Sequence, residues 1–272
     1  MVLREAGSLS TDQTVDGLVT ATLPPYDGCM HEACFERIAG VNSPLFLCDH
    51  AGNRLPSGYG TLGLARSLFE THIAYDIGAA HVTRALAADF GAPAVLGVFS
   101  RLLIDLNRGP DDPTLVMQLS DGSIIPGNRA ITSQELSHRI ADFHAPYHRA
   151  IQTEIARCDA SPVLISLHSF TPAWKGVKRK WEIGILWDKD GRLAHPLMAR
   201  LTAAGFVVGD NEPYSGALEG DTLNRHGTHA GLPHVLIEMR QDLVENWESA
   251  HQLAVRLKPI LSAALADMQG TD

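Results

Sequence analysis

Pro162-Val163-Leu164-Ile165-Ser166-Leu167-His168-Ser169-Phe170-Thr171-Pro172 is the stretch that decides how this chain folds. Val163 to Leu167 is a largely apolar run, the pattern of a strand buried on both faces. His168 stands where that strand should end, and a Ser-x-Thr-Pro turn follows it. In open α/β sheets ligands bind at strand ends, so His168 reads as a candidate metal ligand.

The same pattern occurs upstream. Ser43-Pro44-Leu45-Phe46-Leu47-Cys48 reads as a short buried strand, and Asp49-His50-Ala51-Gly52-Asn53 follows it. From about residue 67 to 90 the pattern is helical: Ile73, Ile77, Ala80 and Leu86 fall on helical steps and Gly91 is the stop signal. That helix would put His72 and Asp76 on one face. Ala94 to Phe99 reads as another buried strand, and residues 109–130, rich in Gly, Pro, Asp and Ser, as a long loop of the kind that often forms a functional rim. A helix over about 134–157 has its cap in Thr132 or Ser133. Trp181 to Trp187 alternates like an exposed or edge strand. Pro196 to Ala204 is a helix, Phe206 to Gly209 a strand, Pro233 to Met239 a strand, and residues 245–268 a closing amphipathic helix despite Pro259. Residues 1–24 read as an irregular arm. Strands alternate with helices throughout, which argues a three-layer α/β fold. No repeat or low-complexity linker divides residues 1–272, so one domain is expected.

Composition excludes several classes. The chain has 22 basic and 31 acidic residues, a net charge of −9, which argues against general nucleic-acid binding. No stretch approaches the ~20 apolar residues needed to cross a bilayer, and no signal peptide is visible. Cys29, Cys34, Cys48 and Cys158 show no C-x-x-C spacing and read as buried free thiols of a cytoplasmic protein.

The chemistry-bearing residues suit a hydrolytic metal site. Zinc in a hydrolase takes about three protein ligands and leaves one position open. His50 and His168 are natural ligands, with Asp76 or His72 as the third. Such a site also needs a group to carry a proton from water to the leaving amine. Glu238, a carboxylate on the otherwise apolar strand Leu236-Ile237-Glu238-Met239, is the candidate, although an ion pair with Arg240 would also account for it. Arg101, Asn107 and Arg108 cluster after a strand, and arginine grips carboxylates with two prongs or steadies an oxyanion. Arg225, His226 and His229 offer a second anion grip in a Gly-rich loop.

Ser166-Leu167-His168-Ser169-Phe170, Asp105-Leu106-Asn107-Arg108 and Ile237-Glu238-Met239-Arg240 together resemble the zinc carboxypeptidase and aspartoacylase superfamily. Cys48-Asp49-His50-Ala51-Gly52-Asn53-Arg54-Leu55-Pro56 and His72-Ile73-Ala74-Tyr75-Asp76-Ile77-Gly78-Ala79 are similar, more specifically, to the N-formylglutamate amidohydrolase family. The resemblance runs from about Leu45 to the last helix. It implies a carboxypeptidase-like (phosphorylase/hydrolase-like) α/β/α fold with a central mixed sheet and one catalytic Zn2+. It implies that His50 and His168 are metal ligands, that Glu238 is the general base, and that Arg101 polarises the scissile carbonyl. It also implies that Asn107 and Arg108 bind the substrate carboxylate; Arg225 and His229, read from their own loop, are expected at a second one. The superfamily has His-x-x-Glu at its first ligand pair, whereas this chain has His50-x-x-Asn53; the missing charge is then expected from Asp76, with His72 the alternative. The expected substrate is a small N-acyl acidic amino acid such as N-formyl-L-glutamate. A larger N-acyl or peptide substrate, or a non-catalytic binding protein on the same fold, are the competing readings.

Overall fold

The computed structural model describes residues 33–158 and 161–270. The arm expected over residues 1–24, and Cys29, lie outside them. In chain order the elements are β1 (Phe35–Ile38), β2 (Leu45–Cys48), α1 (Ala79–Phe90), β3 (Ala94–Gly97), β4 (Leu119–Ser120), β5 (Ser123–Ile124), α2 (Ser133–Arg139), α3 (Ala145–Arg157), β6 (Leu164–Phe170), β7 (Ala173–Trp174), β8 (Val177–Lys178), β9 (Ile183–Leu186), α4 (Ala194–Ala203), β10 (Val208–Asp210), β11 (His234–Arg240) and α5 (Trp247–Gln269). Seven strands form one mixed sheet in the order β1-β3-β2-β6-β11-β9-β10. β3, β2, β6 and β11 run parallel, as do β9 and β10; β1 pairs antiparallel with β3, and β9 antiparallel with β11.

Successive residues of a strand point to opposite faces, and this period divides the core in two. Phe46, Cys48, Ile165, Leu167, Val235, Ile237 and Met239 pack with α1, α4 and α5 on one face. Leu45, Leu47, Leu164, Leu186 and Leu236 pack with Tyr147, Ala150 and Ile151 of α3 on the other. The central strands β6 and β11 are therefore apolar on both sides and read as continuous hydrophobic runs. Among the polar residues that interrupt them are His168 and Glu238. They stand opposite each other in the β6–β11 register, on the α3 face toward the C-terminal ends of the strands.

The helix expected over residues 67–90 starts only at Ala79. The preceding backbone is spent on other contacts: Asp76 N donates to the His50 carbonyl, and the Ala74 carbonyl accepts from Arg101 N and Ser100 Oγ. Gly78 then turns the chain at φ 79°, where a side chain would collide with Val244. His72 and Asp76 do not share a helix face as expected. The strand expected to be exposed or at an edge, Trp181 to Trp187, is instead interior: β9 lies between β11 and β10 and all four of its residues are buried. Its apparent alternation comes from Glu182, which precedes the strand, and from Gly184, which faces Glu238; a side chain there would meet the Glu212 carbonyl and Glu238 Cβ.

The helix expected over 134–157 is α2 and α3 joined by a π-helical turn, Ile140–His144, with Thr132 Oγ1 capping it by accepting from Glu135 N at 3.1 Å. Residues 109–130 form the expected loop, with the β4–β5 hairpin inside it. Asn128 ties its end down, donating to the carbonyls of Leu102 and Met117 at 2.8 and 2.7 Å. Arg139, fully buried, donates in turn to Asn128 Oδ1 and the Leu103 carbonyl, both at 2.8 Å. Among the described residues no helix is long and apolar enough to cross a membrane.

Candidate metal centre

His50 sits two residues past β2, His168 is the fifth residue of β6, and Asp76 lies in the loop before α1. All three are buried, and one ligand atom from each lies within 4.8 Å of the others, so the group could hold a metal ion. His168 Nδ1 and His50 Nδ1 face Asp76 Oδ2 at 2.8 and 3.4 Å. Their outer nitrogens are held by two further carboxylates: His50 Nε2 donates to Asp105 Oδ1 at 2.7 Å, and His168 Nε2 to Asp49 Oδ2 at 2.9 Å. An outer carboxylate fixes the tautomer and orients the ring, leaving Nδ1 for a metal. The donor set and its outer shell therefore fit a single borderline cation such as zinc.

The carboxylates are themselves tethered. Asp76 accepts from Ser169 N at 3.3 Å and Arg101 Nη1 at 3.4 Å. Asp105 accepts from Arg101 Nη2 at 2.8 Å and Asn107 N at 2.9 Å. Asp49 accepts from Thr222 Oγ1 at 2.5 Å, and from Tyr147 OH and Ser166 Oγ at 3.1 Å each. The alternative third ligand, His72, and the pattern-breaking Asn53 are both engaged elsewhere. His72 pairs with Asp121 at 3.1 Å on the rim, and the Asn53 amide donates to the Phe69 carbonyl at 2.9 Å.

Charge follows from these contacts. Burial opposes ionisation of Asp49, Asp76 and Asp105, but His168, His50 and Arg101 respectively lead the groups that hold them well below the usual carboxylate range. Burial also opposes charge on His168, yet hydrogen bonds to Asp49 and Asp76 raise its pKa well above the ordinary value. Arg101 is kept charged by Asp105 and Asp76 against its own burial.

Glu238 behaves oppositely. It is 6% exposed, its Oε2 has no hydrogen-bond partner, and it faces the same cavity. Burial raises its carboxyl to about 7; His168 works against that and Asp76 adds to it. A buried carboxyl poised near neutrality is what proton transfer requires.

The cavity holds about 350 Å³ and is lined by His50, Asp76, His168, Glu238, Arg101, Asn107 and Arg108, among others. Asn107 Oδ1 accepts from Thr222 N at 3.0 Å, and Arg108 donates to the Asn107 carbonyl and Thr114 Oγ1. Seven of the residues singled out from sequence thus meet in one place, with His72 on the same wall. Arg225 and His229 do not: both are exposed and neither lines the cavity. The π-helical turn Asn224–Thr228 presents Asn224 and Thr228 to the cavity, so the expected second anion grip is not built from these two side chains.

Sequence reasoning missed two sets of supporting residues. Asp49 and Asp105 are one; both are acids embedded in apolar runs, which is the signal that marks them. The other is a buried histidine group behind the Asn107–Arg108 pair, of which only His226 was named from sequence; it is buried against His148 and not part of an anion grip. His144 Nε2 donates to the Arg108 carbonyl at 2.9 Å and His148 Nε2 to the Leu106 carbonyl at 3.1 Å, while His148 Nδ1 contacts His226 Nε2 at 2.9 Å. Their signal was the His144-x-x-x-His148 spacing, one helical turn.

Mixed sheet, covered faces and a buried His50–Asp76–His168 group define an α/β/α protein with a cluster that could hold a metal ion. More narrowly, the chain belongs to the N-formylglutamate amidohydrolase family, whose sequence pattern it matches over residues 43–245. Among solved structures it is similar to the gene product Atu2144 from Agrobacterium tumefaciens, at 35% identity and a TM-score of 0.83, covering 87% of this chain and 96% of that one. It is also similar in fold to the N-formylglutamate amidohydrolase from Ralstonia eutropha JMP134, at 23% identity and a TM-score of 0.63, over 88% of this chain and 100% of that one. No curated protein matches it.

Proposed function

We propose that this protein is a zinc-dependent amidohydrolase that cleaves the amide of N-acyl amino acids, with N-formyl-L-glutamate, the compound for which its family is named, as the reference substrate. The observation that carries this reading is Glu238: an unpartnered carboxylate oxygen with a pKa near 7, one register position across from His168.

His50, Asp76 and His168 would hold the metal. When bound, zinc supplies Lewis acidity to the acyl carbonyl and makes a water acidic enough to react near neutral pH. Glu238 takes a proton from the attacking water and hands it to the amine nitrogen as the C–N bond breaks, so the products are the free amino acid and the carboxylate of the acyl group, formate for a formyl substrate. Arg101, fixed by Asp105 and Asp76, stabilises the charge that develops on the carbonyl oxygen. Arg108 and the amide of Asn107 receive the substrate carboxylate. The β4–β5 hairpin brings Ser120 and Asp121 to the cavity rim, where His72 pairs with Asp121; a rim closed in this way favours a small substrate over a peptide.

Formate release from N-formyl-L-glutamate and other N-formyl amino acids, with added zinc and after chelation, tests the reading. Chelation abolishes activity. Glu238→Gln retains the metal and lowers kcat by about 10²–10⁴. Near-full turnover in that variant, or purified protein that takes up no divalent metal, sinks the proposal.

A further inference from the structure

Two arginines and no lysine line the cavity among the described residues. We infer that the preferred substrate carries a single carboxylate together with an apolar group of leucine to phenylalanine size, seated on Leu186, Leu223 and Leu236. The inference rests on the amidohydrolase reading and names the substrate class of that same site.

The cations decide the first half. Among the described residues Arg101 and Arg108 are the only arginines lining the cavity, and no lysine lines it. Arg101 is already taken by Asp105 at 2.8 Å and Asp76 at 3.4 Å. Arg179 stands behind the wall and is taken by it, its Nη1 donating to Thr171 Oγ1 and Tyr214 OH at 3.1 Å each. That leaves Arg108, with Asn107 beside it, for one substrate carboxylate. Against this pair the cavity wall carries Asp188, Asp221 and Glu238, besides Asp76 of the proposed metal group and Asp121, which pairs with His72. A second substrate carboxylate would enter among these acids without a counter-charge, which is costly away from bulk water.

The strand pattern decides the second half. Along β11 every second side chain faces the cavity, so Glu238, Leu236 and His234 form one row. Leu236 stands opposite Leu186 of β9 in register. Two residues along a strand span about 7 Å, so the apolar floor begins one side-chain length from the proton-transferring carboxylate. Leu223 completes it; all three leucines are buried, and all three line the cavity. At the far end both ring nitrogens of His234 are engaged, Nε2 with Thr228 Oγ1 at 3.1 Å and Nδ1 with the Leu232 carbonyl at 2.8 Å, so His234 offers no open donor to an anion. A floor of this kind gains from covering apolar surface and gives nothing back to a desolvated carboxylate.

The apolar group could be the amino-acid side chain or the acyl chain, and the experiment separates them. With zinc-loaded protein, kcat/KM is measured for N-formyl-L-leucine, N-formyl-L-phenylalanine, N-formyl-L-glutamate, N-formylglycine and N-isovalerylglycine. The expected result is a preference of about tenfold or more for the leucine or phenylalanine compound over the glutamate compound, or for the isovaleryl over the formyl derivative of glycine. N-formyl-L-glutamate as the fastest of the set overturns the inference and leaves the amidohydrolase reading standing. Hydrolysis of none of them overturns both. Binding of N-formyl-L-leucine and N-formyl-L-glutamate to the Glu238→Gln protein, read by calorimetry, follows the same order without turnover. Leu223→Arg supplies the missing cation and shifts the ratio toward glutamate; Leu218→Arg, at a half-buried position on the same cavity, does so if the first variant fails to fold. A ratio unmoved by a folded variant of either kind overturns the assignment of the floor.

Discussion

Two groups of histidines lie buried on the α3 side of the sheet, and His168 in one and His148 in the other are pushed toward opposite states of charge. His168 sits between Asp49 and Asp76, which raise its pKa against the effect of burial. His148 sits between His226 and the Leu106 carbonyl, and there burial, reinforced by His144 and His226, pushes the pKa well below the ordinary value. His226 is lowered by burial and by the charge of Arg225 to about 4, and His144 falls in the same direction. Burial is common to both groups, so it is the partner that decides. Carboxylates hold a positive charge where a metal ion would also be welcome. Imidazoles and carbonyls expel it, and the neutral rings serve as donors that brace the loop carrying Asn107 and Arg108.

The largest contrast comes from deleting one ring in each group. His168→Ala removes a proposed ligand and leaves Asp49 and Asp76 buried without their partner. Bound zinc and activity are lost, and stability falls by about 3–5 kcal/mol. His148→Phe keeps the zinc and costs about 1–3 kcal/mol through the lost hydrogen bonds to the Leu106 carbonyl and His226. Metal analysis beside urea denaturation separates the two; equal metal content in both variants breaks the contrast.

The pH dependence comes next. For His226 the folded pKa, about 4, lies below the unfolded value near 6.5. Its contribution is present above about 6.5 and is lost as the pH falls toward 4, an effect of up to roughly 3 kcal/mol. His168 has the opposite sign: in metal-stripped protein its contribution is full below about 6.5 and disappears as the pH rises through its raised folded pKa. Denaturation of metal-stripped wild type and His226→Asn at pH 7 and pH 5 should show the variant losing less on acidification. Parallel losses would mean that the second group is not held neutral.

The smallest effect is expected at His144. His144→Phe removes the donor to the Arg108 carbonyl, so KM rises about threefold to tenfold while kcat stays within about twofold, as expected for loss of one hydrogen bond that positions bound substrate. An equal fall in kcat would place its influence on the chemical step instead.

The parts of this architecture that announce themselves in sequence do so through strand runs interrupted by one polar residue. His50, His168 and Glu238 were legible because a buried strand has no cheap place for them. Asp76 was legible as an acid near His72, although the helix that suggested it does not exist there. Backbone groups of residues 74 and 76 serve His50, Ser100 and Arg101, a tertiary demand that local periodicity does not carry. β9 was misplaced for a related reason: Gly184 reads as a break in a pattern until Glu238 and the Glu212 carbonyl are seen against it. Arg225 and His229 were chosen for their charge; a π-helical turn sets their direction, and residue type does not signal such a turn.

Asp105 has a consequence of its own. Its Oδ1 accepts from His50 Nε2 and Asn107 N, and its Oδ2 from Arg101. One carboxylate thus fixes the spacing between three proposed parts of the site: the metal ligand His50, Arg101 at the carbonyl, and the Asn107 end of the carboxylate clamp. It works as a gauge block: the distance from substrate carboxylate to scissile carbonyl is set by a rigid residue and not by the mobile reach of a side chain at the rim. Amides of β-amino acids are one carbon too long for that gauge, and N-formyl-β-alanine should be cleaved far more slowly than N-formylglycine at equal zinc loading.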